Sequence, residues 1–468
     1  MSFKNIKSAV VFGLEAFQID IEVNIDNRGF PGFDIVGLAA KEINESKERV
    51  KAAIRNSGYK FPNKKIIINL APADLPKKGS LYDVPIAVGI LSACGILSAD
   101  LNNFLFAGEL SLDGDICKIP GSTLIAVEAR KKQKILVIPE SNLFEVGFVK
   151  SLKILAYKNL GDLISAFQSQ VFQSKKPDDF KPNNLPESND LIENIKGHEI
   201  AKRALMIAAA GRHNICLVGS PGSGKTLLAR SLGTIIPDIS ENDFLDVMKI
   251  NSVTEEDFSL RPKFRSPNHP ISHKVLIGAG SPFSLGEITL AHKGILFLDE
   301  FTEFDNKLIS ALRQPLEDKK IQIHTREYQI TLPCDFMLVI SANPCPCGNY
   351  GDPDKKCICS DHQIQRYLGK LKNPLMDRVD LFVNVFSVSS SELLSDGKTT
   401  ETSGSVRDFI TQLREIQNLR CENFGLERKS NADFSPEEIK IICSLEKNAI
   451  ETMNSLHKKY SSRSILKF

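Results

Sequence analysis

No stretch of the sequence is apolar for long enough to cross a lipid bilayer. The longest mainly apolar run, VPIAVGILSACGIL, covers the fourteen residues 84–97, whereas a transmembrane helix needs roughly 20. We interpret this run as a buried helix and expect no membrane partner. The N-terminal segment has a short apolar stretch, but Glu15 interrupts it and no small-residue cleavage site follows. We therefore predict a cytoplasmic protein without a signal peptide.

The chain also lacks internal repeats and a strong net charge. Lys and Arg number 59 against 57 for Asp and Glu, which leaves a net charge of +2. A charge this small creates no global field that would draw the protein onto nucleic acid or a membrane. Contact with nucleic acid would therefore depend on local basic segments.

Cysteines are few, and six of the ten stand alone in the sequence. In a reducing cytosol such cysteines are expected to be buried thiols and not disulfides. The six are Cys94, Cys117, Cys216, Cys334, Cys421 and Cys443. The other four fall close together, as two Cys-x-Cys pairs.

The sequence predicts two α/β units and a small helical domain, separated by polar segments. Residues 1–169 form the first unit. In the second, 191–386, short apolar strands alternate with helices, which predicts a parallel sheet covered on both faces. The polar compositions of 170–190 and 387–405 are typical of linkers. Helical patterning over 406–468 predicts the helical domain.

Individual elements follow from periodicity and from start and stop residues. Strands are predicted at 17–25, 64–70, 215–219, 294–299 and 336–343, and helices at 41–58 and 197–210.

The segment GSPGSGKT fits the P-loop pattern G-x-x-x-x-G-K-[ST], between an apolar strand and a helix, as the motif requires. Its glycines let backbone N–H groups surround phosphates, Lys225 reaches the terminal phosphates, and Thr226 offers its hydroxyl to Mg²⁺. A chance match in a glycine-rich turn is the alternative. The predicted ATP and Mg²⁺ site comprises Gly219, Ser220, Pro221, Gly222, Ser223, Gly224, Lys225 and Thr226.

Two carboxylates end the apolar segment ILFLDE. Beside a P-loop, Asp299 is expected to hold Mg²⁺ through water and Glu300 to polarise the attacking water. Asn343 ends the next apolar strand and is expected to position the same water. The alternative is a buried strand that ends in solvated acids.

The four clustered cysteines lie just past that strand, in NPCPCGNYGDPDKKCICSDHQIQRY. Prolines favour an extended backbone around Cys345 and Cys347, and in extended chain residues two apart point to the same side. Cys357 and Cys359 repeat the spacing after a stretch whose composition suits a turn. We predict a tetrahedral Zn²⁺ site formed by the four thiolates, with His362 as a substitute ligand. The alternatives are reduced surface thiols or a redox-labile pair.

A family resemblance is carried by long segments of both units. These are GHEIAKRALMIAAAGRHNICLVGSPGSGKT, RPKFRSPNHPISHKVLIGAGSPFSLGEITLAHKGILFLDEF, ALRQPLED and NPLMDRVDL in the second, and DIVGLAAKEINESKERVKAAIRNSGYKFPNKKIIINLAPADLPKKGSLYDVPIAVGIL in the first. Over nearly its whole length the chain closely resembles the magnesium-chelatase-like AAA+ ATPases of the ComM (YifB) family. The resemblance implies a P-loop AAA+ core assembled as a homo-hexameric ring, with ATP bound between subunits.

The same resemblance implies roles in hydrolysis for an asparagine and for an arginine that acts on a neighbouring subunit's ATP. Asn343 matches the sensor-1 position, and Arg378 matches an arginine placed against a neighbour's γ-phosphate, where it would neutralise developing charge. Arg366 is the second candidate for that arginine. The alternative for Arg378 is an ion pair within the chain, with Asp377 or Asp380.

The C-terminal helical domain, 406–468, resembles the family's lid. Arg463 matches its sensor-2 arginine. Because family members continue with more helix past this arginine, the lid is expected to be incomplete.

The first unit resembles the proteolytic domain of Lon-type proteases, a ribosomal S5 domain 2-like fold. The segments PADLPKKGSLYDVPIAVGIL and GELSLDGDICKIPGSTLIAVEARKKQKILVIP carry this likeness. Peptidase chemistry needs a Ser activated by a Lys, but these positions fall on Leu81 and Thr123. Ser80 and Lys118 are displaced along the motif. We expect a Lon-like domain without protease activity, used for assembly or substrate contact.

Two basic segments could contact a phosphate backbone. Residues 260–274 form a proline-interrupted loop, and 317–330 are predicted to form a hairpin. The alternative is ordinary solvated loops, but the family resemblance places such inserts towards the ring's pore. It implies a DNA partner and an ATP-driven motor, with helicase-type branch migration in recombination or transformation. A chaperone or unfoldase and a chelatase-type ATPase subunit are the other functions considered.

Overall fold

The structure, a computed structural model, describes residues 2–26, 30–37, 41–73, 75, 77, 79–175, 190–256, 258–280, 283–324, 329–352, 355–371, 373–388, 402–427, 429–442 and 451. These fall into two units of mixed α/β structure. The first comprises Met1–Asn183 and Glu241–Phe258, and the second comprises Asn184–Ser240 and Ser259–Phe468. The segment Glu241–Phe258 from the middle of the sequence thus belongs to the first unit. The boundaries predicted from the sequence are contiguous and do not include this insertion.

The first unit contains a four-stranded sheet of order β1-β2-β4-β3, a parallel three-stranded sheet of order β5-β8-β9, and the pair β6-β7. Its strands are β1 Ser2–Phe12, β2 Glu15–Asp26, β3 Gly32–Val36, β4 Lys65–Ala71, β5 Phe104–Phe106, β6 Glu109–Leu110, β7 Ile116–Cys117, β8 Ile135–Pro139 and β9 Ile154–Tyr157. Its helices, numbered along the whole chain, are α1 Lys41–Asn56, α2 Asp83–Ala93, α3 Ser122–Lys131, α4 Leu143–Val146, α5 Leu160–Ser169 and α8 Glu241–Thr254.

The core of the first unit forms because one face of β2 is apolar. Every second residue from Ile19 to Ile25 is buried, as alternation along the strand predicts. Helix α2 packs against this face, and a Cβ on Gly89 would lie 2.5 Å from Val23 Cγ2. The helix and strand therefore approach more closely than a side chain would allow. This confirms the prediction of a buried helix for the long apolar run.

The second unit is built on a five-stranded parallel sheet of order β11-β14-β17-β10-β18. Its strands are β10 Ile215–Gly219, β11 Phe264–Arg265, β12 Gly278–Ala279, β13 Ser284–Leu285, β14 Ile295–Leu298, β15 Lys320–His324, β16 Gln329–Pro333, β17 Met337–Ala342 and β18 Leu381–Val385. Its helices are α6 Glu199–Gly211, α7 Lys225–Ile235, α9 His273–Ile277, α10 Glu287–Leu290, α11 Asn306–Ala311, α12 Arg313–Asp318, α13 Asp361–Leu371, α14 Ser403–Asn423 and α15 Pro436–Ile442.

Register in this sheet brings the predicted site residues to one edge. Val218 pairs with Ala342 between β10 and β17, and Leu298 pairs with Ile340 between β14 and β17. Since the strands are parallel, their carboxyl ends meet at the same edge. Strands β10, β14 and β17 are buried along nearly their whole length, as expected for a sheet covered on both faces.

The cysteine prediction is only partly right. Among the described residues, Cys94, which directly follows α2, is exposed, and Cys117 is half-buried. The buried members are Cys216, Cys334 and Cys421, and Cys443 lies outside the described residues.

The predicted linkers 170–190 and 387–405 lie largely outside the described residues, as does the end of the predicted helical lid. Within the part of the chain that the structure describes, no helix is both long and apolar enough to cross a membrane.

Candidate nucleotide-binding site

The P-loop lies between β10 and α7, as the motif predicts. Gly222 and Gly224 have positive φ of 79° and 87°, a conformation that side chains disfavour. A Cβ on Gly219 would lie 2.1 Å from Val385 O, so this first glycine is needed for the close approach of β18. Helix α7 begins at Lys225, and its N-terminus faces the loop with its unpaired N–H groups.

Lys225 lies across the loop and reaches the next strand end. Its Nζ donates to Gly219 O at 2.8 Å, to Ser220 O at 2.9 Å and to Asn343 Oδ1 at 3.1 Å. Burial lowers the pKa of Lys225 from its ordinary value, and the carboxylates of Asp299 and Glu300 oppose this shift only in part. The predicted sensor asparagine and the P-loop lysine are therefore in direct contact.

A second set of hydrogen bonds joins the P-loop to the carboxylates after β14. Thr226 Oγ1 donates to Asp299 Oδ2 at 2.9 Å, and Ser341 Oγ donates to Asp299 Oδ1. A hydroxyl and a carboxylate at this distance are the ligands that Mg²⁺ takes at P-loops.

Glu300 is exposed and has a left-handed backbone, with φ of 50°. Its N–H lies 3.0 Å from Ser341 Oγ and 3.1 Å from Asp299 Oδ1. A non-glycine residue adopts this conformation at some energetic cost, so the surrounding contacts must hold it there. The side chain therefore extends into solvent from a fixed backbone.

Sequence reasoning missed Ser341, although it lies in the same strand end as Asn343. Its side chain is completely buried and links Asp299 to the backbone of Glu300. Ser223, one of the predicted P-loop residues, has a buried Oγ with no hydrogen-bond partner among the described residues. A buried polar atom without a partner, at the phosphate-binding turn, fits a ligand that supplies one.

The arginines predicted to act in trans are placed differently from one another. Arg378 is 8% exposed, and it pairs with Glu317, not with Asp377 or Asp380. Its Nη1 also donates to Pro374 O at 2.8 Å. Arg366 is exposed on α13, and Arg463 lies outside the described residues. Among the residues that the structure describes, neither Arg378 nor Arg366 contacts the P-loop of its own chain.

The four clustered cysteines converge in space. Their Sγ atoms all lie within 4.8 Å of one another, and three pairs are at 3.4, 3.6 and 3.7 Å. Four thiolates around Zn²⁺, with Zn–S near roughly 2.3 Å, have S···S separations of about 3.8 Å. The members are Cys345, Cys347, Cys357 and Cys359. His362 is exposed and is not part of this group.

Backbone N–H groups point at these sulfurs. Tyr350 N donates to Cys345 Sγ at 3.3 Å, and Cys347 N donates to Cys359 Sγ at 3.4 Å. Backbone donors from Asn349 and Ile358 lower the pKa of the Cys347 thiol, whereas at Cys357 and Cys359 a backbone donor is outweighed by burial and the neighbouring sulfurs, which raise the pKa of these thiols. Such donors stabilise thiolates, the form in which cysteine binds metals.

Two arginines of the first basic segment form ion pairs within the chain, so they are less available to bind phosphate than the sequence suggested. In the first, Arg265 pairs with Glu287 at 2.8 Å and Arg261 with Asp238 at 3.2 Å. Phe264 is half-buried and packs on Phe297 inside the unit, with ring centroids 5.6 Å apart.

The rest of the first segment and the second segment are more open. Lys274, His269 and His273 are exposed. The predicted hairpin is confirmed as β15 and β16, with Lys320 and His324 exposed, while Arg326 lies outside the described residues. Lys319 pairs with Asp335 and Asp433.

In the first unit, Ser80 and Lys118 bond different carboxylates and not each other in the described contacts. Ser80 Oγ donates to Glu109, and Lys118 Nζ lies 2.8 Å from Glu145 Oε1. Leu81 and Thr123, at the motif positions, are buried.

A parallel sheet, a P-loop after one strand and carboxylates after another define the class: the second unit is consistent with a P-loop protein of the AAA+ type. Two family models match the chain, "Magnesium chelatase, subunit ChlI" over residues 190–393 and "Subunit ChlI of Mg-chelatase" over residues 21–142.

Relatives match over nearly the full length. The chain is 37% identical to "Competence protein ComM" of Haemophilus influenzae, over 98% of this chain and 90% of the relative. It is 36% identical to "Uncharacterized protein YifB" of Escherichia coli, over 95% and 87%. The "Magnesium-chelatase 67 kDa subunit" of Chlorobaculum parvum is 24% identical over 47% and 31%. The chain belongs to the ComM/YifB family of magnesium-chelatase-like proteins.

Proposed function

We propose that the chain binds and hydrolyses ATP as an AAA+ ATPase. One observation carries this proposal: Lys225 contacts Asn343, while Thr226, Asp299 and Ser341 form a continuous set of hydrogen bonds at the same sheet edge. In support, a cationic group, a hydroxyl–carboxylate pair of the kind that binds Mg²⁺ and an amide side chain lie around one turn of backbone N–H groups. The unpartnered Ser223 hydroxyl supports a phosphate ligand there.

Each group has a distinct role in this mechanism. The P-loop N–H groups and Lys225 bind and orient the phosphates. Thr226 through its hydroxyl and Asp299 through water would hold Mg²⁺, which would supply positive charge to the phosphates. Exposed Glu300 orients and deprotonates the attacking water, and Asn343 positions it. An arginine from a neighbouring subunit, Arg378 or Arg366, completes the site.

Lys225→Ala tests the nucleotide site itself. Because Lys225 is the cation buried in the loop, its loss should weaken Mg-ATP binding by 100-fold or more, equivalent to about 2.7 kcal/mol. Equilibrium binding of a fluorescent ATP analogue measures this. Lys202→Ala is a matched control, since Lys202 is also largely buried but pairs with Glu199 on α6. Equal affinities of Lys225→Ala and wild type would contradict the assignment.

We further propose that the ATPase is a hexameric motor acting on DNA. The named competence role of the Haemophilus influenzae relative supports this, as do the exposed cations Lys274 and Lys320 on two inserted segments. In a ring such cations could grip a phosphate backbone. The first unit, as a Lon-like domain without the protease dyad, would serve assembly or substrate contact.

Stimulation of ATP turnover separates the candidate functions. We expect single-stranded or forked DNA to raise the turnover number, with a response that weakens as salt rises because phosphate contacts are electrostatic. Stimulation by unfolded protein alone would instead indicate an unfoldase. The distant similarity to a magnesium-chelatase subunit keeps a chelatase-type role as the third candidate, for which neither DNA nor unfolded protein would stimulate turnover.

We also propose that the four clustered cysteines bind one Zn²⁺ per chain. Their S···S separations are close to those of a tetrahedral zinc site, and backbone N–H groups already face the sulfurs. Metal analysis of the purified protein should find about one zinc per chain, since a closed Cys₄ set fills the four positions. A variant with all four cysteines changed to serine should carry none. A folded wild-type protein free of metal would refute the site.

A further inference from the structure

The loop that carries the four cysteines is hydrogen-bonded to the P-loop. Ser220 Oγ donates to Asp352 Oδ2 at 2.6 Å, and Ser220 is only 6% exposed, so water competes little for this bond. Asp352 lies midway between Cys347 and Cys357 in the sequence. A charge-assisted hydrogen bond therefore joins the turn between the two cysteine pairs to the second residue of the P-loop.

Backbone packing adds a second contact between the same two loops. A Cβ on Gly348 would lie 2.2 Å from Pro221 Cδ, and Gly348 has φ of 80°. Its N–H donates to Cys345 O at 2.9 Å. The cysteine loop thus lies directly against the P-loop, at a place where a side chain would force them apart.

The orientation of Asp352 depends on the cysteine loop. Its N–H donates to Asn349 O at 3.2 Å, and its Oδ1 accepts from Lys355 N at 3.1 Å. Next to Asn349, Tyr350 N donates to Cys345 Sγ. The carboxylate that holds Ser220 is therefore fixed by a turn that is itself anchored on the sulfurs.

The contact leaves a cavity of about 340 Å³ next to the P-loop. Its lining combines Gly219 and Ser220 of the P-loop with Tyr350 and Asp352 of the cysteine loop and with the end of β18. Residues of the cysteine loop therefore border the same cavity as the first P-loop residues.

We propose that Asp352 is a positioning residue of the nucleotide site, through which the metal in the four-cysteine site sets the affinity for ATP. This inference rests on the proposed ATP and zinc sites. A P-loop binds phosphates through N–H groups held in fixed directions, so ordering the loop before binding reduces the entropic cost of binding. A metal bound by the four thiolates orders the turn between the cysteine pairs. The turn fixes the orientation of Asp352, and Asp352 accepts the hydrogen bond that orients Ser220.

The test compares four states of the full chain: wild type and Asp352→Ala, each with its metal and after chelation. The chelator is dialysed away before Mg²⁺ and a non-hydrolysable fluorescent ATP analogue are added. In the wild type, metal removal should weaken binding about tenfold, the scale of a lost charge-assisted hydrogen bond. In Asp352→Ala the affinity should already be about tenfold lower, and metal removal should change it less than about twofold.

Controls separate positioning from a general loss of structure. Asp352→Asn keeps an acceptor for Ser220 and should recover part of the affinity. Asp361→Ala, which removes an exposed carboxylate in the first turn of α13, should bind and respond to chelation as the wild type does. Reloading with Zn²⁺ should restore the wild-type affinity.

The outcomes that overturn the inference are distinct. If metal removal leaves the wild-type affinity unchanged, the coupling is refuted. It is also refuted if metal removal weakens binding by Asp352→Ala a further tenfold. A protein that holds no metal refutes the zinc site and the coupling with it. A metal-loaded protein that does not bind the analogue refutes the ATP site instead.

Discussion

Ser341→Ala should slow ATP turnover far more than it weakens ATP binding. The buried hydroxyl donates to the Asp299 carboxylate and accepts from Glu300 N at 3.0 Å. A hydrogen bond to a charged group contributes about 1.5–3 kcal/mol and a neutral one about 0.5–1.5 kcal/mol. The sum is about 2–4.5 kcal/mol; if about half of it is expressed in the transition state, the barrier rises by about 1–2.3 kcal/mol and the turnover number falls about 5- to 45-fold. KM should change less than about threefold, because Ser341 contacts no phosphate-binding group in the described contacts.

The assay is steady-state ATP hydrolysis, with kcat and KM resolved, beside denaturant unfolding. Ser231→Ala is the matched control: Ser231 is equally buried, on α7, and its Oγ donates to Leu228 O at 2.8 Å. By the same magnitudes Ser341→Ala should lose about 2–4.5 kcal/mol of unfolding free energy and Ser231→Ala about 0.5–1.5 kcal/mol, but only Ser341→Ala should lose turnover. If the two variants have the same kcat, Ser341 is only a packing residue and the account of Asp299 and Glu300 is wrong.

Two further predictions concern the charged groups of the second unit. Arg378→Ala should abolish turnover with ATP binding retained. Mixing it with Glu300→Gln subunits should restore part of the activity, because one subunit supplies the arginine and the other supplies an intact Glu300. If mixing restores no activity, Arg378 serves only as the ion-pair partner of Glu317. Asp335→Asn should cost about 3–5 kcal/mol of unfolding free energy at pH 7, since it leaves the cations of Arg212 and Lys293 without their shared carboxylate. Burial raises the pKa of Asp335, but these cations and Lys319 lower it by more. The pKa of Asp335 therefore lies well below its usual range. The stabilisation is therefore complete above the unfolded pKa of about 3.9 and is lost as pH falls below it, so unfolding at pH 3 should show a smaller difference between variant and wild type than at pH 7.

Local patterns made much of the second unit predictable. The P-loop is a contiguous motif, and its position between β10 and α7 follows from its own flanking residues. The carboxylates and Asn343 could be placed at the same edge because parallel strands bring their carboxyl ends together. The cysteine cluster was predictable for a similar reason, since pairs with two-residue spacing in extended chain present both sulfurs to one side.

Contacts between distant residues could not be predicted in this way. Ser341 reaches Asp299 only because Leu298 pairs with Ile340 in the sheet, and the sequence does not encode this register locally. The partner of Arg378 lies 61 positions away, and Ser220 and Asp352 are separated by 132. Helix α8 joins the first unit although neighbouring sequence belongs to the second. Each of these depends on tertiary packing that a linear pattern does not contain.

Hydrolysis by Glu300→Gln tests the central claim most directly. Gln keeps the size of the exposed side chain but cannot accept a proton from water, so general-base assistance worth about 100- to 10,000-fold is lost. We predict that this variant binds Mg-ATP as tightly as the wild type and turns it over at least about 100-fold more slowly. A Glu300→Gln protein that hydrolyses ATP at the wild-type rate would contradict the proposed catalytic site.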